Sequence, residues 1–311
     1  QIISKIIVQC ARYPGYSAVY RELFAIKKTT IEVAKIDHEE GDAFGEIASR
    51  ILNGTAIGIS WLKNDNGKQR RVTILNPEPD FDLAEDDEII VIRDINELLE
   101  ISSQKTGSTS ISNEATQSNL GIPARPNVKK VLIFSISPNI GEIIKEMNEH
   151  TLERLEIMLA CKNAAENCDF LSNILRKKHG DVKDIFATQP LFEPVEFDLE
   201  GAWSLEGLTL TEFDAIFILA DESELRVDAD SRTVLLLVLI KNLRDRSQGE
   251  NFPPVVTEIL DQQTLDLLDR SPINDAVIST EFISNLLLQV ARNPFLEAIY
   301  RELLNAGGGE M

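Results

Sequence analysis

The sequence predicts an α/β chain: a Rossmann-like, doubly wound parallel sheet, a smaller α+β lobe and two helix-turn-helix crossovers. Three observations predict it. From Lys129 onward short apolar runs alternate with helix-period segments. Between residues 28 and 98 the pattern is instead that of a few strands around a turn, with one short helix. And one helical hairpin occurs twice, once at each end of the chain.

The repeat comes first along the chain. Ile3-Ser4, Gln9, Ala11-Arg12, Pro14, Ala18 and Tyr20-Arg21-Glu22-Leu23 recur as Ile283-Ser284, Gln289, Ala291-Arg292, Pro294, Ala298 and Tyr300-Arg301-Glu302-Leu303, without a gap. Each copy reads as helix, proline-marked turn, helix. Ile2, Ile3, Ile6, Ile7 and Cys10 fall at helical spacing. Pro14 and Pro294 sit where a second helix would begin, with Asn293 as a candidate N-cap.

After the first copy, Thr30 to Ile36 reads as a strand and Phe44 to Leu52 as a helix. Ala56 to Leu62 and Arg71 to Leu75 read as strands around the turn Asn64-Asp65-Asn66-Gly67, and Glu88 to Ile92 closes the lobe. Residues 102 to 126 are rich in Ser, Thr, Asn and Gly with no apolar period, which is linker composition. Then come strand candidates Val131 to Ile136, Leu155 to Ala160, Ala215 to Ala220 and Val255 to Ile259, with Ala276 to Ser279 as a last one. Between them lie helix candidates Gly141 to Asn148, Ala164 to Lys177, Ser231 to Leu243 and Gln263 to Leu268, the third capped by Asp230. Buried parallel strands of a βαβ series have this composition.

Charge and composition narrow the function. A net charge of −20 with no basic patch repels phosphate backbones and argues against nucleic acid as a partner. Three scattered cysteines and three distant histidines make neither a disulfide framework nor a zinc site. The longest purely apolar run, Val234 to Ile240, is about a third of what a spanning helix needs, so no direct membrane insertion is expected. The abrupt start and end lead us to expect a piece of a longer protein.

An enzyme of the dinucleotide type needs glycines after the first strand. The turn here is Ser135-Ile136-Ser137-Pro138-Asn139-Ile140-Gly141, and the second strand ends in Lys162 where an acid would hold a ribose. NAD(H) binding and catalysis are therefore not expected. The densest polar cluster is residues 220 to 232, at the carboxyl edge of the sheet where such folds bind ligands. Its carboxylates Asp221, Glu222, Glu224, Asp228 and Asp230 are candidate ligands for a divalent cation such as Ca2+, although the spacing is not that of an EF-hand. Asp261 and Asp266 read as caps, and Trp61, Trp203, Tyr20 and Tyr300 as packing residues.

The stretch Leu210 to Ser223, the run Asp228-Ala229-Asp230-Ser231-Arg232-Thr233, Val255 to Asp261, and Ile3 to Leu23 together resemble the Castor/Pollux ion channels. The resemblance implies a cytosolic gating-ring region built from regulator-of-conductance (RCK) domains. Residues 1–27 would then be the crossover of a first such domain, 28–98 its small lobe and 99–126 a linker. Residues 127–279 would be the Rossmann-like lobe of a second domain and 280–311 its crossover. It also implies a transmembrane pore in the parent chain, oligomers formed through the crossover helices as a dimer or tetrameric ring, and Ca2+ as a candidate regulator. Two rivals remain at this point: a regulatory subunit of a K+ uptake transporter, and a nucleotide-dependent enzyme.

Overall fold

A computed structural model of the chain describes residues 2–25, 29–65, 68–102, 127–151, 153–177, 189–199, 205, 208–221, 226–246, 252–268 and 274–304. The first hairpin is α1 (Ile2–Arg12) and α2 (Tyr16–Phe24). It is followed by β1 (Thr29–Ala34), α3 (Phe44–Ser49), β2 (Gly54–Asp65), β3 (Lys68–Leu75) and β4 (Glu88–Asp94). Then come β5 (Lys130–Phe134), α4 (Ile140–His150), β6 (Glu156–Cys161), α5 (Ala164–Lys177) and β7 (Leu191–Glu196). The chain continues through β8 (Ala215–Ile218), α6 (Arg226–Arg246), β9 (Val255–Ile259), α7 (Gln262–Leu268) and β10 (Asn274–Ile278). It ends in the second hairpin, α8 (Ser279–Arg292) and α9 (Leu296–Leu303). The linker composition at 103–126 and Trp203 lie outside the described residues.

Two compact units form, and neither is contiguous in sequence. One comprises Gln1–Tyr20 with Arg125–Ile283, the other Arg21–Ala124 with Ser284–Met311.

In the first unit six parallel strands lie in the order β10-β9-β8-β5-β6-β7. The first and fourth strands of the lobe, β5 and β8, are neighbours, so the strand order reverses between them; that is the doubly wound plan with its switch point at the β5/β8 seam. β5, β8 and β9 are buried almost end to end, as a sheet covered on both faces requires. Leu132, Phe134, Ile216 and Ile218 pack under Leu236, Leu237 and Ile240 of α6 on one face. Helix α1 packs against β9, β10 and α4, and its Ile6, Ile7 and Cys10 are fully buried. The turn after α1 is held by Asp275 of β10, whose carboxylate accepts the amides of Gly15 (2.7 Å) and Ser17 (3.1 Å) at the start of α2. Gly15 has φ +100, a conformation only glycine adopts without strain. At the far end of α1, Arg12 Nη1 donates to His150 Nδ1 (2.9 Å), and His150 Nε2 faces Glu146 (3.3 Å), a buried chain between α1 and α4.

The second unit holds an antiparallel sheet, β1-β4-β2-β3. Ile47 of α3 and Leu83 close its core over Ile59, Ile89 and Val91, with Trp61 packed at the margin as a structural residue. Helix α9 packs against β3. The Arg71 guanidinium lies 4.1 Å from the Phe295 ring centroid, donates to Ser60 Oγ (3.1 Å) and pairs with Glu88. Gln289 of α8 accepts the Tyr300 hydroxyl and donates to the Phe24 carbonyl (2.8 Å), while the Phe24 and Tyr300 rings meet edge to face. Tyr300 is thus a packing residue, and its burial pushes its phenol pKa up.

Two expected helix starts are corrected. Pro14 and Pro294 lie in the turns, two residues ahead of α2 and α9, rather than at the first helical position. Asn293 accepts the Phe295 amide (3.2 Å) within that turn, and Phe295 occupies the N-cap position.

Candidate functional site

The crevice beside the β5/β8 seam is where a sheet of this topology presents a ligand, and the turn after β5 decides what it admits. Ser135, Ser137 and Ile140 stand at the three positions that glycines occupy in a dinucleotide turn. Ser135 adopts φ +67, so the chain follows the tight path without its glycine. The Ser137 side chain is wholly buried and its Oγ accepts the Asn139 amide (3.2 Å), filling the space through which a pyrophosphate would approach the backbone. Pro138 has no N–H to offer. Ile140, 4% exposed, opens α4 with a bulky side chain in place of the last glycine.

The end of β6 departs from that plan as well. Lys162, at the usual place of the ribose-binding acid, forms an ion pair with Asp198 (3.1 Å). Glu196, at the end of β7, accepts the amides of Asn163 (2.9 Å) and Ala164 (3.1 Å) and so caps α5 from another strand. Between these walls lies a cavity of about 310 Å³. Its lining joins the apolar Phe134, Phe197 and Leu236 to the charged Lys162, Asp198, Asp221 and Arg232. Cys161 also faces it. Burial pushes that thiol up, against a contact from Asn167 (3.7 Å) that pulls it down. A thiol so held is a poor nucleophile. The chamber can take a small ligand with an apolar body and charged groups.

The five candidate carboxylates have different fates. Asp221 is half-buried and lines the cavity, and Asp228 is exposed in the first turn of α6. Glu222 and Glu224 lie outside the described residues. Asp230 is only 2% exposed, and its two oxygens accept the amides of Leu260 and Asp261 (both 2.9 Å) and the Thr264 hydroxyl (3.0 Å). Its expected role as cap of the third helix is corrected too: α6 begins at Arg226, so Asp230 sits in its second turn and ties it to the β9–α7 connection. Asp261 accepts the Gln263 amide (2.9 Å) at the start of α7, in keeping with a capping role. Among the described residues no group of three or more His, Cys, Asp or Glu side chains is placed to hold a metal ion, so the described part of this segment does not by itself fit Ca2+.

One residue of this edge went unmarked in the sequence. Glu258 of β9 is 1% exposed, and it accepts the Ala220 amide (3.3 Å) and the Ser279 hydroxyl (2.6 Å). The signal was an acid inside an otherwise apolar strand, Val255-Val256-Thr257-Glu258-Ile259, since a buried charge must find partners.

Fold and crevice together define a class: a doubly wound α/β lobe with a chamber at its switch point and without the glycines of a phosphate-binding turn. The comparisons with known proteins supply the particulars. Residues 1–109 match the family described as Castor and Pollux, part of voltage-gated ion channel. The whole chain aligns with Ion channel CASTOR of Lotus japonicus at 25% identity, covering 38% of that protein. It also aligns over its whole length with the probable ion channel POLLUX of Oryza sativa subsp. japonica at 24% identity, covering 33% of it. The chain is thus similar over its whole length to the Castor/Pollux ion channels, and it spans roughly a third of the length of these relatives. Among solved structures, the human SLO3 gating ring matches with a TM-score of 0.58 at 13% identity, over 98% of this chain and 62% of that one. That likeness shows the fold alone, a Rossmann-like parallel sheet with a smaller antiparallel lobe. The named relatives are described as ion channels. No described helix is long and apolar enough to cross a membrane.

Proposed function

We propose that this chain is a cytosolic regulatory region of a cation channel, coupling a ligand in the crevice beside the β5/β8 seam to the gating of a pore carried elsewhere in the parent protein. The observation that carries the reading is the full-length alignment with CASTOR and POLLUX on a lobe whose chamber persists while its dinucleotide turn is filled by Ser137 and Ile140. Assembly is proposed to use the crossover helices, because α8 leaves Ile283, Leu287 and Leu288 exposed along one face. Ca2+ at the segment after β8 is proposed on sequence grounds, through Asp221, Glu222, Glu224 and Asp228. Asp230 leaves that set, because its carboxylate is filled by amides and a hydroxyl.

The test is a recording of the parent channel in excised patches while Ca2+ on the side of this region is stepped. Asp221→Ala/Asp228→Ala is expected to shift the half-activating Ca2+ by about tenfold, the effect of losing roughly 1.4 kcal/mol of differential binding. An unshifted response removes Ca2+ from this site. Gating that is unchanged when residues 1–311 are deleted removes the regulatory reading altogether.

A further inference from the structure

The end of β8 and the second turn of α6 are both tied through buried acids to the start of α8. At the end of β8, Glu258 accepts the Ala220 amide through Oε2 and the Ser279 hydroxyl through Oε1. Asp230 of α6 accepts the Leu260 amide, and the carbonyl of that same Leu260 accepts the Thr280 hydroxyl (3.1 Å). The two routes use different acids and different positions at the end of β9. They converge on adjacent residues, Ser279 and Thr280, in the first turn of α8. Between them Ala220, Ala229 and Leu260 pack as a small buried apolar cluster, with Ala220 wholly enclosed.

Burial gives these ties their stiffness. An acid or peptide group shut away from water cannot exchange a lost partner for a solvent molecule, so moving one end drags the other or leaves a polar group orphaned. The peptide plane between Leu260 and Asp261 is gripped on both of its polar sides, its Asp261 N–H by Asp230 (2.9 Å) and its Leu260 carbonyl by Thr280 (3.1 Å), which makes that plane a rigid link between α6 and α8. We infer that Glu258 and the Asp230–Leu260 pair are two struts coupling the end of β8 at Ala220 and the second turn of α6 at Asp230 to the first turn of α8, so that a displacement of either is carried to Ser279 and Thr280. Such coupling is reciprocal, and a restraint placed on α8 stiffens Ala220 and the second turn of α6 by the same free energy. Glu258 and Asp230 are positioning residues in this scheme. The inference rests on the proposed function only for what would act on these two places; the ties stand without it.

The test is amide hydrogen exchange on the 1–311 chain, read by mass spectrometry without ligand or pore, so its failure is separable from failure of the channel reading. Ser279→Ala is expected to speed exchange in residues 216–221 and leave the start of α6 unchanged. Thr280→Val is expected to do the reverse, acting on residues 227–233. The double variant should loosen both places by about five- to tenfold, the weight of one buried hydrogen bond on each route. Thr280→Ser, which keeps the hydroxyl, should restore the start of α6. Faster exchange confined to α8, uniform loosening that extends to β5 and β6, or no change at all would each overturn the proposal.

Discussion

The two copies of the repeated hairpin share their residues and not their surroundings. Ile3, Ile7 and Val8 of α1 are 4%, 0% and 2% exposed, whereas their counterparts Ile283, Leu287 and Leu288 on α8 are 44%, 63% and 46% exposed. In the second helix the contrast inverts: Val19 is 57% exposed and its counterpart Ile299 is wholly buried. The first copy spends its first helix on a parallel sheet, and the second copy spends its second helix on an antiparallel one. A repeat therefore encodes a hairpin with two apolar faces, and the lobe it meets decides which face is used. The uncovered face of α8 matches, position by position, a face that α1 has already shown to fit a doubly wound lobe.

The comparison can be broken first at its strongest point. Ile7→Ala is expected to cost about 3 kcal/mol in urea unfolding of the chain, while Leu287→Ala costs less than about 1. Equal costs would mean that α8 is covered in solution after all. A smaller difference is expected at the turns. Asp275→Ala, which strips the Gly15 and Ser17 amides of their acceptor, should cost about 2 kcal/mol, and Asn293→Ala in the other turn no more than about 0.5. The smallest effect is at Cys10, whose counterpart is Val290. Cys10→Val should change stability by under about 1 kcal/mol, because it conserves an apolar group in a packed site. Burial, with the Asp275 charge adding to it, pushes the Cys10 thiol well above its ordinary range, and burial pushes Cys168 up to about 11. Raised values keep both thiols protonated at pH 8, so a thiolate-selective reagent should label Cys10 only as fast as the chain unfolds. Rapid native labelling would contradict the enclosed α1.

Most of the doubly wound lobe could be read from the sequence because its signals are local. Val131 to Phe134 and Ala215 to Ile218 are uninterrupted apolar runs, and Ala164 to Lys177 carries its helical period between clear breakers. β7 was missed because Leu191-Phe192-Glu193-Pro194-Val195-Glu196 mixes acids with a proline and has no buried face to write a pattern. The candidate site was legible only as a region. Asp230 and Glu258 find their partners 21 to 38 residues away, and those distances are set by topology rather than by any motif. Neither the filled turn at Ser137 nor the cap that Glu196 places on α5 has a local signature beyond the missing glycines.

The strand that the sequence hid has a consequence for how copies of this protein can meet. Leu191 donates its amide to Leu155 (2.8 Å) and Phe197 donates to Cys161 (3.0 Å), so the odd-numbered amides of β7 point inward to β6. Pro194 falls in the outward set, where its missing N–H breaks no hydrogen bond of the sheet and removes a donor from the rim. With Glu193 exposed beside it, that rim is a poor template for another strand, and sheet-to-sheet growth, the usual route to aggregates, is blunted there.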